Sequence, residues 1–121
     1  MEEQIKINDI SEELVVGQEY KLKFYTPQTV AVYAGKNAKE ELTFIRKGRA
    51  GKDKFFNFDF ISPQGFAVEG GEISKLSDEA SFGGTYVWKR NILNRYLPNP
   101  LFSKIEKMLE EKRFGELAKS H

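Results

Sequence analysis

Two apolar runs with a period of two, joined by a short basic stretch containing glycine, constrain this chain more than any other feature. They lie between Glu41 and Glu69. Leu42 to Arg46 alternates ahead of Lys47-Gly48-Arg49-Ala50-Gly51-Lys52-Asp53, and Lys54 to Ile61 alternates after it. In the second run Phe56, Phe58 and Phe60 fall on one side, with Asn57 and Asp59 opposite. Such alternation is the pattern of a half-buried strand. Three phenylalanines on one face supply a large part of a core. Pro63-Gln64-Gly65 then turns the chain into a further short strand, Phe66 to Val68.

The same period extends toward the N-terminus. Tyr20, Leu22 and Phe24 alternate with Lys21, Lys23 and Tyr25. Thr26-Pro27-Gln28 interrupts this strand, because proline lacks the donor that a central ladder needs. Thr29 to Ala34 resumes it, and Gly35-Lys36-Asn37 reads as a turn. Ahead of these strands, residues 1–17 read as an N-terminal arm with Ile5, Ile7 and Ile10 as its apolar positions.

Beyond Val68 the pattern weakens. Gly70-Gly71 reads as the end of the sheet, Glu72 to Leu76 as one helical turn, and Ser77 to Gly84 as a loop. From Thr85 to Leu97, Trp88, Ile92 and Tyr96 repeat every four residues, which favours an amphipathic helix. Thr85-Tyr86-Val87-Trp88 taken alone suits a closing strand instead. Asn99 and Pro100 have the residue types of an N-cap and a first helical position. The helix they open carries a stripe of Leu101, Ile105, Met108 and Leu109 and runs to about Arg113.

The expected architecture is α+β, one domain over residues 1–121. An arm over 1–17 precedes a five-stranded antiparallel sheet over 18–76, followed by a helical segment over 85–114 and a tail over 115–121. Short strands joined by tight turns pair as a meander, and twisted strands of this number curl into a barrel that buries its edges. The order resembles an SH3-like β-barrel in architecture alone, and the resemblance implies no site residue.

The residues available for chemistry are few. There is no cysteine, and the one histidine is His121, the last residue. Thiolate metal sites, Cys-His pairs and Ser-His-Asp triads are therefore excluded. Asp59, Glu69, Glu72, Asp78 and Glu79 lack the spacing of a calcium loop. No enzymatic activity and no cofactor are expected. The polar, acidic start of the chain is unlike a secretory leader, and no apolar run has the length of a membrane span. A cytoplasmic protein without membrane contact is expected.

Charge is the remaining signal. The sum is only +1, but residues 1–20 hold six acids and one lysine, whereas Arg46 to Lys54 hold five bases and one acid. The Gly48 to Lys52 stretch is not a phosphate-binding P-loop, since Arg46 stands where the first glycine belongs and Asp53 follows Lys52. What remains is a cationic hairpin loop able to contact phosphates through Arg46, Lys47, Arg49, Lys52 and Lys54. Lys89, Arg90 and Arg95 beside Trp88 make a second basic patch, and Tyr25 and Tyr33 are candidates for stacking on bases. The leading expectation is a binding module for nucleic acid or a phosphate-bearing ligand. The alternative is a small adaptor or inhibitor that binds another protein, as accessory proteins of phages and mobile genetic elements do. The plainest reading of the loop is a solubilising hairpin whose lysines discourage edge pairing.

Overall fold

The computed structural model describes residues 5–6, 14–25, 27–51, 53–62, 65–76, 82–89 and 100–119, with backbone alone at 5, 6 and 82. Its strands are β1 (Ile5–Lys6), β2 (Glu19–Leu22), β3 (Thr29–Lys36), β4 (Leu42–Ala50), β5 (Asp53–Ile61), β6 (Phe66–Glu69), β7 (Glu72–Lys75) and β8 (Phe82–Lys89). Two short helices follow, α1 (Pro100–Glu110) and α2 (Phe114–Lys119). Among the described residues the strands form one sheet in the order β1-β6-β7-β2-β3-β4-β5-β8. All pairings are antiparallel except β2 with β7.

This overturns the five-stranded antiparallel, SH3-like barrel. The sheet is open and mixed, with seven strands of four residues or more and the two-residue β1 at one end. Two segments account for the difference. Gly70 and Gly71, both at positive φ (55° and 81°), do not end the sheet. They form the two-residue turn that pairs β6 with β7, a conformation that glycine adopts without strain. Residues 72–75 are thus a strand rather than a helical turn. They are held from the other side by β2, where the Lys21 and Lys23 amides donate to the Gly71 and Ile73 carbonyls at 3.2 and 2.8 Å. Lys23 Nζ meets Glu72 at 2.6 Å, and this hydrogen bond lowers the Glu72 pKa.

The second segment is Phe82–Lys89. It pairs with β5 over eight positions, from Ile61↔Phe82 to Lys54↔Lys89. Thr85 to Lys89 is therefore part of a strand, as the alternative reading had it, and not the start of a helix, although it stands at the end of an open sheet and closes no barrel. The rest of the expected helix, 90–97, lies outside the described residues.

The chain fills both faces of the sheet. On one face, Ala34, Ile45, Phe56, Phe58 and Val87 pack beneath Phe102, Ile105 and Met108 of α1 and Leu117 and Ala118 of α2. The Phe56 and Phe102 rings stack at 4.5 Å between centroids. Pro100 opens α1 as its residue type implies, but the buried stripe takes Phe102 and leaves Leu101 45% exposed. Helix α1 stops at Glu110, where Lys112 takes a positive φ of 58° and the Arg113 amide donates to the Met108 carbonyl at 2.9 Å. That is a left-handed C-terminal cap built with lysine instead of glycine. Residues 114–119 form a docked helix with Leu117 and Ala118 buried, although the sequence alone reads as a tail.

On the other face, Tyr20, Leu22, Ala31, Tyr33, Leu42, Phe44, Ile61, Phe66 and Ile73 form a second core. The loop after β2 closes over it. Phe24 lies edge-on to Phe66 at 5.3 Å, and the Tyr25 hydroxyl donates to Asp59 Oδ1 at 2.6 Å. Burial raises the pKa of both Tyr25 and Tyr33, and for Tyr25 the hydrogen bond to Asp59 adds to the shift. Because the neutral phenols are favoured in the folded state, the stability they contribute is intact below about pH 10 and is lost as the pH rises beyond it. In a phenolate absorbance titration Tyr25 and Tyr33 are expected to resist ionisation past pH 10, so Tyr25→Phe should leave the absorbance change near pH 10 undiminished. Loss of one ionising phenol near pH 10 in Tyr25→Phe would contradict this placement. No helix among the described residues is long and apolar enough to cross a membrane.

Candidate nucleic-acid interface

The basic stretch is not a loop. Strand β4 continues through Lys47, Gly48 and Arg49 to Ala50, and β5 begins at Asp53. The hairpin register is unbroken from Leu42↔Ile61 to Ala50↔Asp53. Gly51, at φ 64°, takes the left-handed position of the tight turn. Lys47 to Arg49 are strand residues paired with Phe56 to Lys54 and not part of a flexible loop.

Register decides where the cations go. Arg49 stands directly opposite Lys54, and Lys54 directly opposite Lys89. Directly opposed residues share a face, so three cations lie in a row across β4, β5 and β8. Lys47, two residues before Arg49, is on the same face, with Nζ 5.8 Å from the Phe56 ring centroid. Lys89 Nζ lies 5.7 Å from the Phe102 ring. The row borders a cleft of about 360 Å³ between the hairpin and α1, with Glu106 as its acid. Arg49 and Lys54 are exposed and Lys89 half-buried. None of Lys47, Arg49, Lys54 and Lys89 forms an ion pair with another described residue. Like charges directly opposed on a sheet are destabilising, and here nothing among the described residues offsets that cost by ion pairing.

The opposite face of the same strands carries aromatics. Gly48, Phe55 and Trp88 form one cross-strand row, and Arg46, Asn57 and Tyr86 the next. The Phe55 ring lies against Gly48, where a Cβ would stand 2.1 Å from it, so only glycine admits the ring there. Phe55 packs on Trp88 at 4.8 Å and on Tyr86 at 5.3 Å. Tyr86 is 54% and Trp88 38% exposed. Strand β8 has a single neighbour, β5, among the described strands. Cations and aromatics therefore meet along one sheet edge, on its two sides.

The remaining sequence candidates divide. Arg46 does not join the cationic row. It lies on the aromatic face, where Nε donates to Asp59 Oδ2 at 2.7 Å and the guanidinium sits 4.2 Å from the Tyr25 ring centroid. Burial acts to lower its pKa, but the hydrogen bond and the charge of Asp59 reverse that and the net shift is upward. Tyr25 is half-buried and committed to Asp59. Tyr33 is 3% exposed, its ring against Phe44 in the core, and cannot stack on a base. Lys52, Arg90 and Arg95 lie outside the described residues.

Comparison with protein-family models, with curated proteins and with solved structures finds no match to this chain. The site must be read from its own residues. Sequence reasoning did not single out Phe55, Asn57, Tyr86 or Gly84. For Phe55 and Asn57 the signal is the hairpin register, since placing Gly51 in a two-residue turn fixes every cross-strand partner on β4 and β5; for Gly84 and Tyr86 it is the strand propensity of Thr85-Tyr86-Val87-Trp88.

Proposed function

We propose that this protein is a non-enzymatic binding module of the cytoplasm that contacts single-stranded nucleic acid along the β5–β8 edge. Lys47, Arg49, Lys54 and Lys89 hold phosphates, and the exposed rings of Tyr86 and Trp88 take bases from the other side of the edge. The observation that carries this reading is the Arg49–Lys54–Lys89 row, three like charges opposed across three strands with no described acid paired to them. A phosphate chain supplies the missing counter-charge, and aromatic platforms beside a basic groove are the usual means of holding single strands without sequence preference.

The test is a labelled oligonucleotide titrated against the parent protein and Arg49→Glu/Lys54→Glu. Both side chains are exposed, so the fold should tolerate the change, and affinity is expected to fall by at least tenfold. Equal binding by the two proteins would remove the proposal. A protein partner is the second reading, favoured by the same open edge, since an extended segment can add to β8 beside Tyr86 and Trp88. Recovery of one protein from nuclease-treated extract, with no oligonucleotide binding in vitro, would select it.

A further inference from the structure

On the aromatic face, beside Tyr86, a cavity of about 190 Å³ opens between Tyr25, Arg46, Asn57, Asp59, Gly84 and Tyr86. Its floor is polar and tightly held. Asp59, 1% exposed, accepts from the Tyr25 hydroxyl and from Asn57 Nδ2 on Oδ1, and from Arg46 Nε on Oδ2. These contacts fix the plane of the Arg46 guanidinium, whose side chain is only 16% exposed. Nε is used, but the two terminal amino groups have no acceptor among the described residues. Asn57, also 1% exposed, has its Oδ1 without a donor among the described residues. Gly84 faces Asp59 across the ladder and keeps this wall low. A Cβ there would stand 2.8 Å from Asn57 Oδ1 and 3.2 Å from Asp59 Oδ1.

Taken together, the cavity offers a fork of donors, a neighbouring unpaired acceptor and an exposed ring at its rim. Its net charge is zero, because Asp59 balances Arg46, so an anion gains little there. A neutral planar ring with acceptors on its edge gains more. The volume, below that of ordinary drug-sized pockets, suits one ring system.

We propose that this cavity is a base-selecting pocket that takes guanine or cytosine in preference to adenine, uracil or thymine. The inference rests on the nucleic-acid reading above. The Arg46 fork needs two adjacent acceptors, and Asn57 Oδ1 needs a donor beside them. Guanine presents this order as N7, O6 and N1–H, and cytosine as O2, N3 and the N4 amino group. Adenine sets its N6 amino group next to either ring acceptor, which would point a donor at the fork. Uracil and thymine place N3–H between their two carbonyls. A good bidentate pair discriminates against the wrong base by about ten- to a hundredfold.

The experiment uses the full chain and two probes. Nucleosides are titrated by amide chemical-shift perturbation, and oligo(dC), oligo(dA) and oligo(dT) by fluorescence anisotropy. Guanosine and cytidine are expected to shift the Gly84 and Tyr86 amides, with adenosine and uridine at least tenfold weaker. Oligo(dC) is expected to bind at least tenfold tighter than oligo(dA) or oligo(dT), and Arg46→Lys, which keeps the charge but loses the fork, to erase that preference. Should Arg46→Lys fail to fold, Tyr86→Ser at the exposed rim decides, with a weakened cytidine shift expected. If all four nucleosides behave alike while oligonucleotides still respond to Arg49→Glu/Lys54→Glu, the pocket is refuted and the cationic row stands. If cytidine fills the cavity but oligonucleotide binding ignores that charge reversal, the row is refuted and the pocket stands.

Discussion

Replacing Asp59 with alanine is expected to destabilise the fold by about 3 kcal/mol, measured by chemical denaturation. The carboxylate is 2% exposed and holds three donors, from Tyr25, Asn57 and Arg46. Its removal leaves a largely buried guanidinium without a counter-charge and two buried donors without an acceptor. Breaking such a pair costs about 3–5 kcal/mol. The low end applies because Arg46 keeps 16% of its side chain in solvent. Tyr25→Phe removes one hydrogen bond and should cost about 1 kcal/mol. Replacing both charges, Arg46→Met with Asp59→Leu, should recover much of the loss, since an apolar pair of similar volume leaves no orphaned charge. A single Asp59→Ala variant within 1 kcal/mol of the parent would mean that the pair is not buried as described.

The second large effect belongs to the helical face. Phe56→Ala is expected to cost about 4 kcal/mol. The ring is fully buried, stacks on Phe102 and lies beside Lys47. Its loss removes the transfer energy of the ring and leaves a cavity between sheet and helix that neither can readily close. Because α1 meets the sheet through this stack, amide exchange across Pro100–Glu110 should accelerate more than exchange across β6 and β7. Uniform acceleration across both regions would show that α1 does not depend on this contact.

How much of this was readable in the sequence differs from one element to the next. The central strands were plain, because Phe56, Phe58 and Phe60 alternate with Asn57 and Asp59 and one face of that strand meets the helices. Strand β7 was hidden. Glu72-Ile73-Ser74-Lys75 has one apolar residue, and its strand character comes from its hairpin with β6 and from a parallel neighbour 51 residues earlier in the chain, Lys21–Leu22 against Glu72–Ile73. Strand β8 was masked twice. Gly83 and Gly84 carry no hydropathy, and the four-residue spacing that begins at Trp88 drew Thr85 to Lys89 into a helical reading. Over those five residues Thr85-Tyr86-Val87-Trp88 carried the correct signal in its β-branched and aromatic side chains.

The candidate site was half legible. Its cations were visible as a cluster, but treating residues 47–53 as a loop concealed their alternation. The alternation separates Lys47 and Arg49 from Arg46 and sends them to opposite faces. Arg46 was grouped with the surface bases, whereas its register sets it beside Asn57 and within reach of Asp59. Tyr33 was a stacking candidate because it alternates with Val32 and Ala34; the sheet is covered on both faces, and Tyr33 is buried with Ala31 and Phe44.

The salt dependence of oligonucleotide binding tests the cationic edge most directly. Four cations contacting a single strand should give a slope of about −3 for the logarithm of the association constant against the logarithm of salt concentration. Lys54→Gln should reduce that slope by about 0.7. A slope near zero, or one that Lys54→Gln leaves unchanged, would contradict the account.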